Sequence, residues 1–307
     1  MNTKQHWYSH GKLLLSGEYL VMEGAKAFAL PLKQGQSLLL RKTDVAGRLS
    51  WNAFLKNSSW FNAVFETKNL NLVETNNQSL AGNLQKILQA VRELSPGFLG
   101  DKSGFAVETK LDFDPEFGFG SSSTLISNLA WWAEIDPYEL LHLTFGGSGY
   151  DVACARMNSP IFYQLKDSEP VIDKVNFTPD FSKQIYFVYL GQKQKSTESI
   201  QNFKSSAVFG KDDLMAITRI SEQIPMVSSL REFEGLLNEH ENRLSTVLGR
   251  PTIKSLLFKD YKGTVKSLGG WGGDFVLLTG NQPESDFRAD MLNRGFPVVF
   301  TYDELVL

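Results

Sequence analysis

The sequence is poor in the features that mark secreted, membrane-spanning or metal-thiolate proteins. One cysteine, Cys154, stands among 307 residues, so no intramolecular disulfide can form and a metal site built from several thiolates is excluded. Four histidines, His6, His10, His142 and His240, show neither an HExxH pattern nor a paired spacing, which argues against a zinc site. No run approaches the roughly 18 to 20 apolar residues that cross a bilayer. The N-terminal stretch has no long apolar run after Lys4 and does not read as a signal peptide. Neither sign of charge dominates. The 31 Lys and Arg residues are mixed with 34 Asp and Glu, for a net charge of -3, without the clustered basic face that coats nucleic acid. These absences predict a cytoplasmic protein with no membrane or nucleic-acid partner, while a few local cations would still suffice for a small anionic substrate.

Apolar residues, by contrast, are plentiful. They make up 42% of the chain, with 22 phenylalanines and 6 tryptophans, enough for one large domain or two lobes with packed cores. Short apolar or alternating runs at Lys12–Leu15, Ala27–Leu32, Ser37–Arg41 and Gly104–Leu111 read as strands. The aromatic-rich stretch Leu49–Phe65 is ambiguous and reads as a hairpin on the surface. In Ser79–Leu94 the residues Leu80, Leu84, Ile87, Leu88 and Val91 fall on one helical face, stopped by Ser95-Pro96-Gly97. Thr124–Ala133 reads as a buried helix. Further strands are expected at Ile161–Leu165, Ile185–Leu190 and Pro297–Thr301, with two more around a glycine cluster in Gly263–Gly280. The stretch Thr197–Leu248 is helical with breaks near Gly210, Pro225 and Leu230, and Glu284–Asn293 is a further helix. The mixed order favours α+β over a doubly wound α/β sheet. A weakly marked boundary near residues 170–185 divides the chain into 1–175 and 176–307.

Three segments carry chemistry. Gly118-Phe119-Gly120-Ser121-Ser122-Ser123-Thr124 lies between a predicted strand and a predicted helix. Glycines let the backbone approach a phosphate, the helix N-terminus offers unpaired N–H groups, and serine hydroxyls can bind phosphate or ligate magnesium. The run lacks the GK[ST] ending of a Walker A loop and the third glycine of a dinucleotide fingerprint. An ordinary tight turn with a serine cap is the alternative reading. Gly146-Gly147-Ser148-Gly149-Tyr150-Asp151 is a glycine-rich turn ending in a carboxylate, which on its own reads as a loop with an Asp helix cap. Lys266-Ser267-Leu268-Gly269-Gly270-Trp271-Gly272-Gly273-Asp274 is a third glycine cluster. Glycine so dense is entropically costly and suggests close approach of backbone to a ligand or to another segment.

Taken in order, these segments resemble the GHMP small-molecule kinases, the family that includes galactokinase, homoserine kinase, mevalonate kinase and phosphomevalonate kinase. The N-terminal His10-Gly11-Lys12 followed by Ser16-Gly17-Glu18-Tyr19 resembles the family's GK-plus-GEY/GEH pattern. The central run is similar to GLGSSA, Ser148-Gly149-Tyr150-Asp151 resembles the SG-x-D segment, and Lys266–Asp274 is most similar to the phosphomevalonate kinase form, which ends in GGD. The likeness spans Lys12 to Asp274. It implies a two-lobed α+β fold with its active site in the cleft between lobes, ATP and Mg2+ as cofactors, and a small-molecule acceptor, most readily mevalonate or phosphomevalonate. In that scheme Asp151 is the base or electrostatic partner for the acceptor and Lys12 stabilises the transferring phosphoryl. Gly118, Gly120, Ser121, Ser122 and Ser123 hold the nucleotide phosphates, with Ser122 the metal ligand. Glu18, Ser148, Gly149, Lys195, Ser196, Gly270 and Gly272 border the acceptor. A diphosphomevalonate-type decarboxylase and a non-catalytic nucleotide-binding protein share the scaffold and stay as alternatives. A homodimer is the default for a soluble enzyme.

The chain departs from the family pattern in places. Pro115 is displaced from the phosphate loop by Glu116-Phe117, and Trp271 replaces a small residue, for which inward packing is the favoured reading. Glu134 and Glu139 lack the spacing of a magnesium-binding glutamate and read as solvated helix residues. Cys154 reads as buried packing and His10 as a surface residue.

Overall fold

The structure, a computed structural model, describes residues 4–100, 103–192 and 196–307, with side chains described from residue 199 in the last stretch. The first half runs β1 (Gln5–Ser16), β2 (Ala27–Thr43), β3 (Arg48–Leu55), β4 (Ser58–Glu66), β5 (Leu72–Thr75), α1 (Gln78–Leu94), β6 (Gly104–Leu111), α2 (Ser121–Ala133), α3 (Pro137–Thr144) and α4 (Tyr150–Ala155). The second half runs β7 (Ile161–Lys166), β8 (Glu169–Lys174), β9 (Ile185–Tyr189), α5 (Ser196–Ser206), α6 (Lys211–Gln223), α7 (Leu230–Leu248), α8 (Ile253–Leu257), β10 (Val265–Leu268), β11 (Phe275–Thr279), α9 (Glu284–Asn293), β12 (Val299–Thr301) and α10 (Tyr302–Leu305). The α+β class expected from the sequence is the one observed.

The chain forms two compact units, neither of them a single stretch of sequence. The first comprises Met1–Gly11, Gln34–Asp114 and Gly120–Arg156, and the second Lys12–Lys33, Pro115–Phe119 and Met157–Leu307. The long strands β1 and β2 each change unit partway along.

In the first unit the sheet runs β5-β4-β3-β6-β2, with β3 parallel to β6 and the other pairs antiparallel. Alternation decides which face is covered: Leu49, Trp51 and Ala53 of β3, with Phe61, Ala63 and Phe65 of β4, turn into the core. The core's other side comes from α1 (Leu84, Leu88, Val91), α2 (Ile126, Leu129, Ala130) and α3 (Leu140, Leu141). The hairpin expected on the surface instead lies within the sheet and over the core. β3 is internal, paired on both sides, and Trp51 is 2% exposed. Helix α1 starts at Asn77, whose side chain accepts from Leu80 N–H at 3.1 Å.

In the second unit the N-terminal half of β2 pairs with β7, and β7 with β8. A separate antiparallel sheet runs β10-β11-β9-β12. One face packs Tyr186, Val188, Val276 and Leu278 against Phe287 and Met291 of α9. On the other face Phe119 stacks on Phe275 at 4.9 Å, and Phe117 lies among Tyr189, Phe275 and Phe300. Glu116-Phe117, the extra residues noted after Pro115, thus supply an aromatic anchor. No described helix is long and apolar enough to cross a membrane.

Candidate active site

Helix α2 in the first unit begins without a side-chain cap. Its N-cap is Gly120, in the left-handed region (φ +87°), and the first intrahelical bond is Thr124 N–H to the Gly120 carbonyl at 3.0 Å. The amides of Ser121, Ser122 and Ser123 precede that bond, and the helix dipole adds positive potential there. Ser122 is exposed, and Ser121 and Ser123 are half-buried. Buried hydrogen bonds hold the helix. Thr124 Oγ1 donates to Gln36 Oε1 and Asn128 Nδ2 to the Gln36 carbonyl, both at 2.9 Å, while Ser9 Oγ meets Ser127 Oγ at 2.7 Å. Helix α4 packs against α2. Its residues Val152–Ala155 are buried, and half-buried Asp151 occupies its first turn. Gly149 caps α4 at φ +87° and Ser148, half-buried, precedes it. The phosphate-loop serines and the SG-x-D segment thus lie on two helices that touch.

The second unit holds the other candidates. Lys12 is only 8% exposed, and its amide donates to the Phe119 carbonyl at 3.0 Å. Gly118 (φ +67°) lies against Asp274; a β-carbon there would come within 2.5 Å of the carboxylate. Residues 269–274 form the turn of the β10–β11 hairpin, in which Leu268 pairs with Phe275. Gly270 accepts from Gly273 N–H at 3.1 Å. Gly272 has φ +82° with open space where a side chain would lie. Trp271 packs inward, as its sequence context suggests: it is 8% exposed, and its ring N–H donates to the Pro251 carbonyl at 3.2 Å. Its amide donates to the Tyr19 hydroxyl at 2.7 Å.

Beneath the Gly17–Tyr19 turn lies a buried charged cluster. Lys266 Nζ donates to Glu18 Oε1 at 2.5 Å and to the Ser267 carbonyl at 2.7 Å. Glu241 accepts from Ser267 Oγ–H at 2.8 Å and Ser267 N–H at 3.1 Å. His240 Nε2 accepts from Gly17 N–H at 2.9 Å, which places the proton of a neutral ring on Nδ1. Burial first, then the Lys266 charge, hold the His240 pKa well below its ordinary 6.5. Its 3.2 Å approach to Glu18 is therefore not an ion pair. Burial pushes both Glu18 and Glu241 up, and Lys266 opposes that in each case.

A depressed histidine pKa stabilises the fold above its unfolded value of about 6.5, and that stability drains as pH falls below it, by up to about 1.4 kcal/mol per pH unit. The raised carboxylates act in the opposite direction in their own window, so comparison with His240→Gln isolates the histidine. Thermal melts between pH 7 and 5 should show a steeper loss in the parent. Equal slopes would remove the assignment of a neutral buried imidazole.

Glu134 and Glu139 are exposed, as expected of solvated residues. Cys154 is buried. Lys195 lies outside the described residues; Ser196 begins α5, but its side chain is likewise outside them. Among the described residues, no group of three His, Cys, Asp or Glu could hold a metal ion. His240 and Lys266 were not singled out by the sequence reading. A signal was present, because His240 and Glu241 interrupt the apolar stripe Phe233, Leu237, Leu244, Val247 of α7.

The chain has the fold of the GHMP small-molecule kinases. It matches the crystal structure of Methanococcus jannaschii mevalonate kinase with a TM-score of 0.71 at 16% identity, over 97% of each chain. Streptococcus pneumoniae phosphomevalonate kinase, in complex with phosphomevalonate and AMPPNP, matches at 0.69 and 14% identity over 97% of this chain and 99% of that one. Lactococcus lactis galactokinase, complexed with galactose, matches at 0.63 and 14% over 97% and 92%. No family profile and no curated protein matches the sequence.

Proposed function

We propose that the protein is a kinase that transfers the terminal phosphoryl group of MgATP to a small acceptor, mevalonate or phosphomevalonate. The observation that carries this is the uncapped N-terminus of α2, entered through left-handed Gly118 and Gly120 and followed by three serines. Such a terminus suits phosphate oxygens, since its N-cap glycine has no side chain to satisfy the first amides. The residues present fit a nucleotide: Gly118, Gly120, Ser121, Ser122 and Ser123 would hold its phosphates. A magnesium ion would be held mainly by phosphate oxygens, with the exposed Ser122 hydroxyl as a protein ligand; when bound it neutralises the charge that develops on them.

The remaining roles follow from chemistry. Asp151 orients the acceptor hydroxyl and takes its proton, and Lys12 places a cation where phosphoryl charge develops. Ser148, Gly149, Gly270 and Gly272 border the acceptor. The neighbour captured with phosphomevalonate and AMPPNP supports the same pairing of acceptor and nucleotide.

ADP release from MgATP is the test, with mevalonate, phosphomevalonate, diphosphomevalonate, homoserine and galactose as acceptors. Turnover on mevalonate or phosphomevalonate is expected. Carbon dioxide release from diphosphomevalonate would turn the assignment into a decarboxylase. ATP binding without turnover on any acceptor would make the chain a binding protein and end the kinase reading.

A further inference from the structure

The buried cluster beneath the Gly17–Tyr19 turn has a charge content that packing alone does not explain. Lys266 is fully buried, Glu241 is 3% exposed, Glu18 4% and Lys12 8%. Exchanging a buried ion pair for apolar residues of similar volume is often neutral or stabilising, so two lysines and two glutamates here are better explained by what they hold in place. Hydrogen bonds from Lys266 to Glu18 and from Ser267 to Glu241 tie three elements together. Lys266 and Ser267 belong to β10, His240 and Glu241 to α7, and Glu18 to the turn leaving β1.

The turn is strained in a way that needs such anchoring. Gly17 has φ +96°, and a β-carbon there would lie 2.7 Å from Ala27; Tyr19, which has a β-carbon, is held at φ +62°. Left-handed backbone is unfavourable for a residue with a β-carbon. Three parts of the candidate site converge on this turn. Lys12 lies close enough for its charge to favour ionised Glu18. The Lys12 amide holds the Phe119 carbonyl at the base of the phosphate loop. The Tyr19 hydroxyl holds the Trp271 amide of the glycine cluster.

We infer that Lys266 is a positioning residue for phosphoryl transfer: through Glu18, seated against His240, it fixes the Gly17–Tyr19 turn and with it the Lys12 ammonium and the Trp271 loop, without touching substrate. In this arrangement Glu18 is the counter-ion of Lys266 rather than an acceptor contact. Glu241 completes the charge balance by fixing Ser267, the residue whose carbonyl takes a second hydrogen bond from Lys266.

The inference rests on the kinase reading for its kinetic consequence but not for its structural one, and the test separates them. The double variant Lys266→Met with Glu18→Gln removes both charges of the pair together, so that neither is left buried without the other. With an acceptor in hand, kcat should fall about 100-fold, while the KM for MgATP and the melting temperature stay near the parent's. A purely structural role predicts that a variant with parental melting also has parental kcat, and that result overturns the inference. Independently of any activity, acetylation of Lys12 followed by peptide mass spectrometry reads its placement. Its labelling should accelerate about tenfold in the double variant relative to exposed Lys4, and an unchanged rate overturns the inference even if every acceptor fails. Should the double variant not fold, Glu18→Gln alone, which keeps the side-chain shape and leaves Lys266 its Ser267 carbonyl, carries the same comparison.

Discussion

Asp151→Asn is expected to lower kcat by about 10²- to 10⁴-fold, the usual contribution of a positioned proton acceptor, with the KM for MgATP little changed. The substitution is nearly isosteric and removes only the charge and the basicity. The helix that carries Asp151 should survive it, because α4 is anchored by Val152, Ala153, Cys154 and Ala155, all at 1% exposure or less. Asp151 itself is half-buried in the first turn. A fall in kcat with an unchanged melting temperature is the outcome that supports a chemical role. An unchanged kcat would remove Asp151 from the chemistry, and a collapse in melting temperature would recast it as a structural residue.

Gly118→Ala should be nearly as damaging by a different route. At φ +67° an alanine pays about 1–2 kcal/mol in backbone strain, and its β-carbon would come within 2.5 Å of Asp274 Oδ2 and 2.7 Å of Cγ. The Asp274 backbone is held in place, so relief must come from swinging its carboxylate or moving the loop. The Asp274 amide donates to the Gln192 carbonyl at 2.7 Å and its carbonyl accepts from Leu190 N–H at 2.9 Å, so its backbone is fixed on both sides. Strain relieved by moving the loop reaches Gly120 and the α2 amides. A displacement of about 1 Å there costs about 100-fold in turnover, and the KM for MgATP should rise with it. Gly272→Ala is the control. Its φ of +82° carries similar strain, but no atom lies within 4 Å of the new β-carbon, so its effect on kcat should be much the smaller. Equal effects of the two substitutions would show that steric contact with Asp274 is not what matters.

Much of the architecture was legible because periodicity reports burial directly. The 3.6-residue stripe in Ser79–Leu94 became α1 with Leu84, Ile87, Leu88 and Val91 buried, and the paired strands around the glycine cluster became β10 and β11. The hairpin within Leu49–Phe65 was legible as a hairpin but not as a central one. Its alternation shows one covered face and cannot report the parallel partner β6, which enters the chain some fifty residues later. In the site, the glycines and serines stood out because positive φ and uncapped amides need those residue types. The partners that bury Glu18, namely His240, Glu241 and Lys266, did not, since charged residues on a helix or a short strand read as solvated unless the apolar stripe they interrupt is noticed. His240 and Glu241 lie four and three residues from apolar neighbours on that stripe, Leu237 and Leu244 among them. Polar side chains in core-facing register are the trace such a cluster leaves in sequence.

The second unit closes on itself through residues far apart in the chain. Leu32 bridges to Val306, Leu307 N–H donates to the Pro31 carbonyl at 3.0 Å, and Ala27, Phe28 and Ala29 pair with Tyr163, Phe162 and Ile161. A ribosome releases Lys12–Lys33 long before any of these partners. The first unit can be assembled from residues up to 156, whereas the second has to wait for the final strand and helix to emerge. During synthesis the apolar half of β2, Ala27–Leu32, therefore has β1 on one side but still lacks β7 on the other, and this open edge is the segment a chaperone or an aggregation partner would meet first. Pulse-labelled nascent chains should become protease-resistant in two stages, the later one only after residues up to Leu307 have left the exit tunnel.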